Sequence, residues 1–225
     1  MNGMLASVRN WEEAQIALNA HVDIIDLKQP SLGALGALEI DTIRDIVTNI
    51  DFRCPVSATI GDLPMQADTI FDAVQATAKT GVDFVKIGFF PSENWLSIAE
   101  RLRKLTTKYQ LIAVLFADQN PDIQFISALK QNGFSGVMLD TMDKQRGSLT
   151  QMMPLETLQT FVTMAKKNSL ICGLAGSLRA NDIATLLPFD AHYLGFRGAL
   201  CAEHNRIQTV DSQALEYIRQ LLRLS

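Results

Sequence analysis

The sequence predicts a single (β/α)8 barrel spanning residues 1–225, an α/β fold class that three observations support. Short β-branched or apolar runs alternate with amphipathic helical patterns from one end of the chain to the other. The alternation repeats eight times, without a linker or a low-complexity segment. Barrels of eight βα units are typically about 250 residues long, which is close to the length of this chain. An open doubly wound sheet shows the same alternation, but eight units in 225 residues favour closure.

Each of the first four units begins with a short apolar run and continues into a helical pattern. In the second unit the β-branched pair Ile24-Ile25 indicates a buried strand, and a Pro- and Gly-rich loop, Gln29–Ala37, follows it. The third helix is expected to end before Gly81, because glycine commonly terminates helices. The predicted elements are the strands Met4–Val8, Ile24–Ile25, Val56–Ile60 and Phe84–Ile87, and the helices Trp11–Asn19, Ile40–Thr48, Met65–Lys79 and Trp95–Lys108.

The last four units follow the same pattern. Asn132-Gly133 is a typical end for the fifth helix, and Pro154 lies near the first turn of the sixth, where proline is favoured. The predicted elements are the strands Leu111–Phe116, Gly136–Leu139, Leu170–Leu174 and Ala191–Gly195, and the helices Asp122–Gln131, Pro154–Lys167, Asn181–Leu187 and Ser212–Leu224.

The composition is that of a globular protein without a nucleic-acid or membrane partner. The net charge is −4 and the basic residues are spread along the chain, whereas a nucleic-acid surface needs a basic stripe. No apolar run approaches the ~18–20 residues of a membrane span, and the N-terminus turns acidic where a secretory signal would continue. Cys54, Cys172 and Cys201 lack metal-binding spacing, so we expect reduced thiols, no metal site and a cytoplasmic location.

Charged side chains are concentrated at the predicted carboxyl ends of the strands, where barrels carry their active sites. Asp26 and Lys28 share one face of the second strand by the two-residue alternation. Lys86 interrupts the apolar fourth strand and is predicted to place an ammonium group inside the barrel. The alternatives are a snorkelling or structurally paired Lys86 and a salt bridge between Lys28 and Asp26. The other strand ends carry Ser57, Thr59, Asp118, Asp140 and Lys144.

Two lysines in one desolvated site predict a neutral amine, because burial and a neighbouring like charge both disfavour protonation. A neutral lysine amine attacks carbonyl groups and forms a Schiff base. Lys28 and Lys86 therefore predict an enzyme with imine chemistry. Such an enzyme needs no metal or organic cofactor, because the imine itself serves as the electron sink.

Two glycine-rich stretches, GLAGSLRAND and YLGFRGALC, follow the seventh and eighth predicted strands. Barrels often bind phosphate at this position through backbone N–H groups. Loop glycines beside surface arginines are the alternative, since each motif alone is weakly specific. The residues predicted to bind phosphate are Gly173, Gly176, Ser177, Arg179, Gly195, Arg197 and Gly198.

Six sequence blocks occur in order along nearly the whole chain: DIIDLKQP, PVSATIGDLP, GVDFVKIGFF, VMLDTMDKQRGSL, GLAGSLR and LGFRGALC. With these blocks the sequence resembles the (5-formylfuran-3-yl)methyl phosphate synthases of methanofuran biosynthesis. The resemblance implies a barrel related to class I aldolases, in which Lys28 forms the Schiff base and Lys86 transfers protons. It also implies that Asp26, Asp140 and Lys144 occupy further polar positions of the active site.

The function that this resemblance implies is a carbon–oxygen lyase that condenses two molecules of glyceraldehyde 3-phosphate, with loss of phosphate and water. Ala34 departs from the family pattern, in which we expect a serine in the loop after Lys28. Two alternatives remain at this point: a class I aldolase acting on another phosphorylated sugar, and a non-catalytic barrel that binds a phosphorylated metabolite. The partner is in each case a phosphorylated small molecule. Such barrels commonly form homo-oligomers, and the sequence leaves the oligomeric state open.

Overall fold

The computed structural model describes residues 2–223, and its eight parallel strands close into a barrel in chain order. Each strand pairs with the next one along the chain, and β8 pairs with β1 to complete the ring. The predicted fold class is therefore confirmed. The strands are β1 (Gly3–Val8), β2 (Ile24–Leu27), β3 (Val56–Thr59), β4 (Phe84–Phe89), β5 (Gln110–Phe116), β6 (Gly136–Asp140), β7 (Ile171–Leu174) and β8 (Tyr193–Phe196).

The helices pack around the outside of the barrel. They are α1 (Trp11–Asn19), α2 (Ile40–Ile50), α3 (Ala67–Ala78), α4 (Trp95–Thr106), α5 (Phe125–Gln131), α6 (Leu149–Met152), α7 (Leu155–Lys167), α8 (Ala180–Leu186) and α9 (Ser212–Arg223). The short helix α6 was not predicted. Pro154 directly precedes α7, where its missing N–H costs nothing. The prediction extended the last helix to Leu224, which lies outside the described residues.

The main hydrophobic core fills the space between the strands and the helices. Residues spaced three or four positions apart form the buried face of each helix, as Ile43, Ile46 and Ile50 do in α2. A second, smaller apolar cluster lies inside the barrel and includes Leu5 and Met138. These two clusters leave the carboxyl ends of the strands as the polar end of the molecule.

Gly173 and Gly195 lie on the interior face of β7 and β8, where they make room for Met138. A Cβ atom at these positions would lie 3.1 Å and 2.9 Å from atoms of the Met138 side chain. Such short separations are outside normal van der Waals contact, so a larger side chain would displace the methionine. Ser7, Asp26 and Ser57 lie nearer the carboxyl ends, as direct neighbours across β1, β2 and β3.

Within residues 2–223, no helix is long and apolar enough to cross a membrane. Over the same residues, His, Cys, Asp and Glu side chains form no group of three or more that could hold a metal ion. Cys54, Cys172 and Cys201 are buried free thiols.

Candidate active site

A cavity of about 670 Å³ opens at the carboxyl ends of the strands. Lys28 and Lys86 lie in its wall, together with Asp140 and Lys144 from the far side of the barrel. The volume falls within the range of about 300–1,000 Å³ that small-molecule sites commonly have. The barrel therefore brings together Lys28 and Lys144, which are 116 positions apart in the sequence.

Asp26 is fully buried beneath this cavity and accepts three hydrogen bonds. Ser7 Oγ donates to it at 2.8 Å, Ser57 Oγ at 2.7 Å and Lys86 Nζ at 3.0 Å. Burial alone raises the pKa of Asp26, but the ammonium groups of Lys86 and Lys28 and the Ser57 bond outweigh it and lower the pKa. Asp26 is thus an ionised carboxylate. Lys86 points into the barrel, as the strand alternation predicts, and it is paired with an acid.

Lys28 is buried at the cavity wall without a close carboxylate partner. Its Nζ lies 3.9 Å from Asp140 Oδ2 and 3.5 Å from the Ala34 carbonyl oxygen. The salt bridge to Asp26 that was the alternative in the sequence analysis is not formed, because Asp26 pairs with Lys86. Burial lowers the pKa of Lys28 to about 7; Asp140 opposes this shift, and the charges of Lys144 and Lys86 reinforce it. A large fraction of the amine is therefore neutral near pH 7.

Asp140 and Lys144 form a close ion pair at the end of β6. The Lys144 ammonium, followed by Lys28, more than offsets the effect of burial and lowers the pKa of Asp140 to about 2. Asp118 fixes the loop between the two residues, since its carboxylate accepts the N–H groups of Met142 at 2.7 Å and Asp143 at 2.8 Å. Asp118, in the turn that directly follows β5, therefore fixes the loop that carries the Asp140–Lys144 ion pair.

The loop after β2 folds over Lys28 and is fixed by Asp62. The Asp62 carboxylate accepts the N–H groups of Ala34 at 2.7 Å and Leu35 at 2.8 Å. This orients the Ala34 carbonyl towards the Lys28 amine. Gly33 has φ +110°, and a Cβ atom there would collide with Asp62, so only glycine fits this turn.

The loops after β7 and β8 contribute the residues predicted to bind phosphate. Ser177 Oγ donates to the Lys144 carbonyl at 3.2 Å, so it fixes the loop of Lys144. Arg179 Nη1 lies 3.4 Å from the His204 carbonyl oxygen. The predicted residues that line the cavity are Gly176, Ser177, Arg179, Gly195, Arg197 and Gly198.

Comparison with known proteins identifies the family. Residues 4–219 match the family model described as 4-HFC-P synthase. The chain belongs to the 4-HFC-P synthase family. A candidate (5-formylfuran-3-yl)methyl phosphate synthase of Methylorubrum extorquens is 39% identical over 220 residues, which is 96% of this chain and 91% of that protein. The (5-formylfuran-3-yl)methyl phosphate synthase of Methanosarcina acetivorans is 31% identical and covers 90% of this chain and 92% of its own length.

Solved structures with the same architecture share much less sequence identity with this 4-HFC-P synthase family member than these relatives do. Phosphoribosyl anthranilate isomerase from Thermotoga maritima matches with a TM-score of 0.74 at 11% identity, over 100% of both chains. 3-Hexulose-6-phosphate synthase from Salmonella typhimurium matches with a TM-score of 0.72 at 14% identity, over 99% of both chains. At these identities the likeness supports the barrel fold alone.

Two of the residues predicted to bind phosphate in this 4-HFC-P synthase family member make other contacts in the structure. Gly173 lines a small void below the cavity and serves the packing of Met138. The Arg197 guanidinium is buried and turned towards α1, where Glu13 binds it in a bidentate ion pair. Its five N–H groups are all occupied by Glu13 and by backbone carbonyls, so the side chain has no donor left for a phosphate.

Three residues that contact or line the cavity region of this 4-HFC-P synthase family member were not predicted from the sequence. Ser7 follows Leu5 on the inward face of the first strand, and the same alternation that located Asp26 and Lys86 could have found it. No local sequence pattern selects Glu13, because its partner Arg197 is 184 positions away. Arg206 lines the cavity from a loop without regular structure, and the sequence offers no pattern that selects it.

Proposed function

We propose that the protein condenses two molecules of glyceraldehyde 3-phosphate to (5-formylfuran-3-yl)methyl phosphate, with release of one phosphate and two waters. The observation that carries the proposal is the buried Lys28 amine, whose pKa of about 7 makes it a nucleophile at neutral pH. The names of the relatives favour this product. The cavity, with its excess of basic side chains, suits a phosphorylated substrate.

The first step is attack of the neutral Lys28 amine on the aldehyde carbon of one triose phosphate. The carbonyl oxygen leaves as water, and a protonated imine remains on Nζ. Asp140 Oδ2, 3.9 Å from Nζ, is near enough to stabilise the positive charge of that imine. Asp140 stays ionised for this role, because its pKa is about 2.

The second step is removal of the proton from the carbon next to the imine. We assign this proton transfer to Lys86, which accepts the proton after passing its own ammonium proton to Asp26 across their 3.0 Å hydrogen bond. The electron pair released from the C–H bond flows into the imine and gives an enamine. The enamine then expels phosphate from the adjacent carbon by β-elimination, and the Lys144 ammonium neutralises the departing charge.

In the final steps C3 of the remaining three-carbon unit adds to C2 of the second triose phosphate, which reacts as its ketone isomer after a proton shift. The C1 oxygen of the second triose closes the ring on C2 of the first, and two waters leave as the ring becomes a furan. Hydrolysis of the imine consumes one water and returns Lys28 as an amine, so two waters are released overall. The second triose keeps its phosphate, which becomes the phosphate of the product. The reaction balances without an oxidant, a reductant or an organic cofactor, and expulsion of phosphate makes the enzyme a carbon–oxygen lyase.

Borohydride trapping tests the first step. The protein is incubated with glyceraldehyde 3-phosphate, reduced with borohydride and digested, and the peptides are analysed by mass spectrometry. We expect a stable adduct on Lys28, accompanied by an ultraviolet-absorbing furan aldehyde when borohydride is omitted. Lys28→Ala should fold and lack both signals, whereas Lys167→Ala, at an exposed lysine, should retain them.

Other results of the borohydride experiment would support different lysine roles or a different function. An adduct on Lys86 would exchange the roles of the two lysines. An adduct on Lys28 with a sugar phosphate as product would favour an ordinary class I aldolase. Absence of any adduct with a folded protein that binds the triose would refute imine chemistry and favour a non-catalytic barrel.

A further inference from the structure

Arg206 lies at the mouth of the cavity, in the loop that follows the 3-10 turns after β8. Its Nη2 donates to the Gly33 carbonyl at 3.1 Å, which connects this loop to the loop that covers Lys28. Its own carbonyl accepts from Arg197 Nε at 2.8 Å. Because Glu13 holds Arg197 from below, the backbone of Arg206 is fixed while its side chain borders the cavity.

Arg197 and Arg206 differ in how many of their N–H groups are hydrogen-bonded to the protein. All five N–H groups of Arg197 are hydrogen-bonded to the protein. The Arg206 guanidinium makes one hydrogen bond, to Gly33, and residues 2–223 provide no acceptor for its other N–H groups. A planar guanidinium with open donors is suited to bidentate binding of a phosphate.

The charges of the cavity indicate where phosphates can bind. Lys86 is paired with Asp26, and Lys144 with Asp140. Each phosphate monoester brings about −1.5 to −2 charges near neutral pH. Among the described cations that line the cavity, Arg179 and Arg206 are the side chains without a carboxylate at ion-pair distance.

Arg179 and Arg206 contact different neighbours at the cavity. Arg179 lies beside Gly198, within the glycine-rich loops predicted to bind phosphate. Arg206 lies on the side of Gly33, and the charges that act on it include those of Asp140 and Asp62. The adjacent residues His204, Asn205 and Ile207 are exposed, so the loop that carries Arg206 lies at the mouth of the cavity.

We propose that Arg206 binds the phosphate of the second triose, the one that the product retains. This inference rests on the proposed function, in which the first triose is bound covalently to Lys28 before the second arrives. The second triose enters a cavity whose inner part is occupied, so its phosphate stays near the mouth. Arg206 has N–H groups available there to bind it. The hydrogen bond from Arg206 to Gly33 joins the loop after β8 to the loop after β2 beside that phosphate.

The test separates the two trioses by measuring two signals from the same variants. Borohydride trapping with glyceraldehyde 3-phosphate reports binding and imine formation of the first triose alone. The rate of furan absorbance, measured over a range of glyceraldehyde 3-phosphate concentrations, reports addition of the second. Arg206→Met is compared with Arg206→Lys and with Arg146→Met, which removes the same charge from an exposed position outside the cavity wall.

We expect Arg206→Met to trap the first triose at the wild-type rate within about twofold. The glyceraldehyde 3-phosphate concentration that gives half of the maximal rate of furan formation should rise by on the order of tenfold or more. The reason is that a charge-assisted hydrogen bond to the phosphate is lost. Arg206→Lys should recover part of this loss, since it restores the charge without the bidentate geometry. Arg146→Met should match the wild type in both signals.

Two outcomes would overturn the assignment of Arg206. Unchanged furan formation in Arg206→Met would exclude the residue from phosphate binding. An equal loss of trapping and of furan formation would assign it to the first triose or to general folding. Failure of the wild-type protein to give either signal would instead refute the proposed function, and with it this inference.

Discussion

Lys28 owes its low pKa to the way that two carboxylates are shared among three lysines. Asp26 is bound by Lys86 at 3.0 Å, and Asp140 is bound closely by Lys144. Lys28 is left with Asp140 Oδ2 at 3.9 Å, which does not compensate for its burial. The pKa therefore falls from the usual 10.5 to about 7. A third close carboxylate would make the site more stable and the amine less reactive.

Lys144→Met is expected to move the pH dependence of imine formation to higher pH. The Lys144 ammonium lowers the pKa of Lys28, so its removal raises that pKa and also leaves Asp140 to pair with Lys28. In the wild type, the rate of borohydride trapping should rise with pH through about 7, as the amine loses its proton. In the variant the midpoint should lie higher, by about one pH unit.

The midpoint of this profile is the decisive quantity, because the maximal rate also reflects substrate binding. Lys144→Arg keeps the positive charge and serves as the control, with a midpoint close to that of the wild type. A variant Lys144→Met that traps the triose with an unshifted midpoint would show that Lys144 does not influence the Lys28 amine.

At the scale of elements, the sequence predicted the strands and helices well but not the contacts between distant loops. The eight alternations located all eight strands, and their boundaries agree within three residues. Two-residue alternation also oriented Asp26, Lys28 and Lys86 correctly, because it depends on local geometry alone. The ion pair of Arg197 was not predicted, since Glu13 lies 184 positions away in α1 and no local pattern reveals such a partner.

The ion pair between Glu13 and Arg197 connects α1 to the loop that carries Arg206. Glu13 is fully buried and also accepts the N–H group of Val210 at 3.3 Å. Arg197 in turn holds the carbonyls of Arg206 and Gln208. A helix on the outside of the barrel thereby determines the position of a loop at the cavity mouth.

Glu13→Ala is expected to lower the free energy of unfolding by about 3–5 kcal/mol, because it leaves the buried Arg197 guanidinium without a counter-charge. Urea unfolding followed by circular dichroism measures the change. Glu12→Ala removes the same charge from an exposed position of the same helix, and it should stay within about 0.5 kcal/mol of the wild type. Equal stability of the two variants would argue against a structural role of the pair.

At the scale of the whole molecule, the buried charges of the candidate active site lower the stability of the protein. A closed sheet without edges and a continuous core between strands and helices stabilise the fold. Within this frame Asp26, Lys28, Lys86, Asp140 and Lys144 lie together at or beneath the cavity, although burial of each charge is unfavourable. Lys28 contributes most directly to this cost, because it is buried without a close partner.

Lys28→Met should therefore make the protein more stable near neutral pH while abolishing imine formation. The pKa of Lys28 is lowered on folding from 10.5 to about 7, so between these values the unfolded chain binds a proton that the folded protein does not. Wild-type stability then rises with pH across this window, and the penalty is present in full below pH 7. Methionine has no such penalty, and Asp140 keeps Lys144 as its partner in the variant.

We expect the free energy of unfolding of Lys28→Met to exceed that of the wild type by on the order of 1–3 kcal/mol at pH 6.5. The difference should shrink steadily as the pH rises from 7 towards 10.5, the range in which Lys28 is neutral in the folded protein but still largely protonated in the unfolded chain. Urea unfolding at a series of pH values measures this, and the exposed Lys167→Met should follow the wild type throughout. If Lys28→Met were no more stable than the wild type at pH 6.5, the buried amine would not be the source of strain that its low pKa implies.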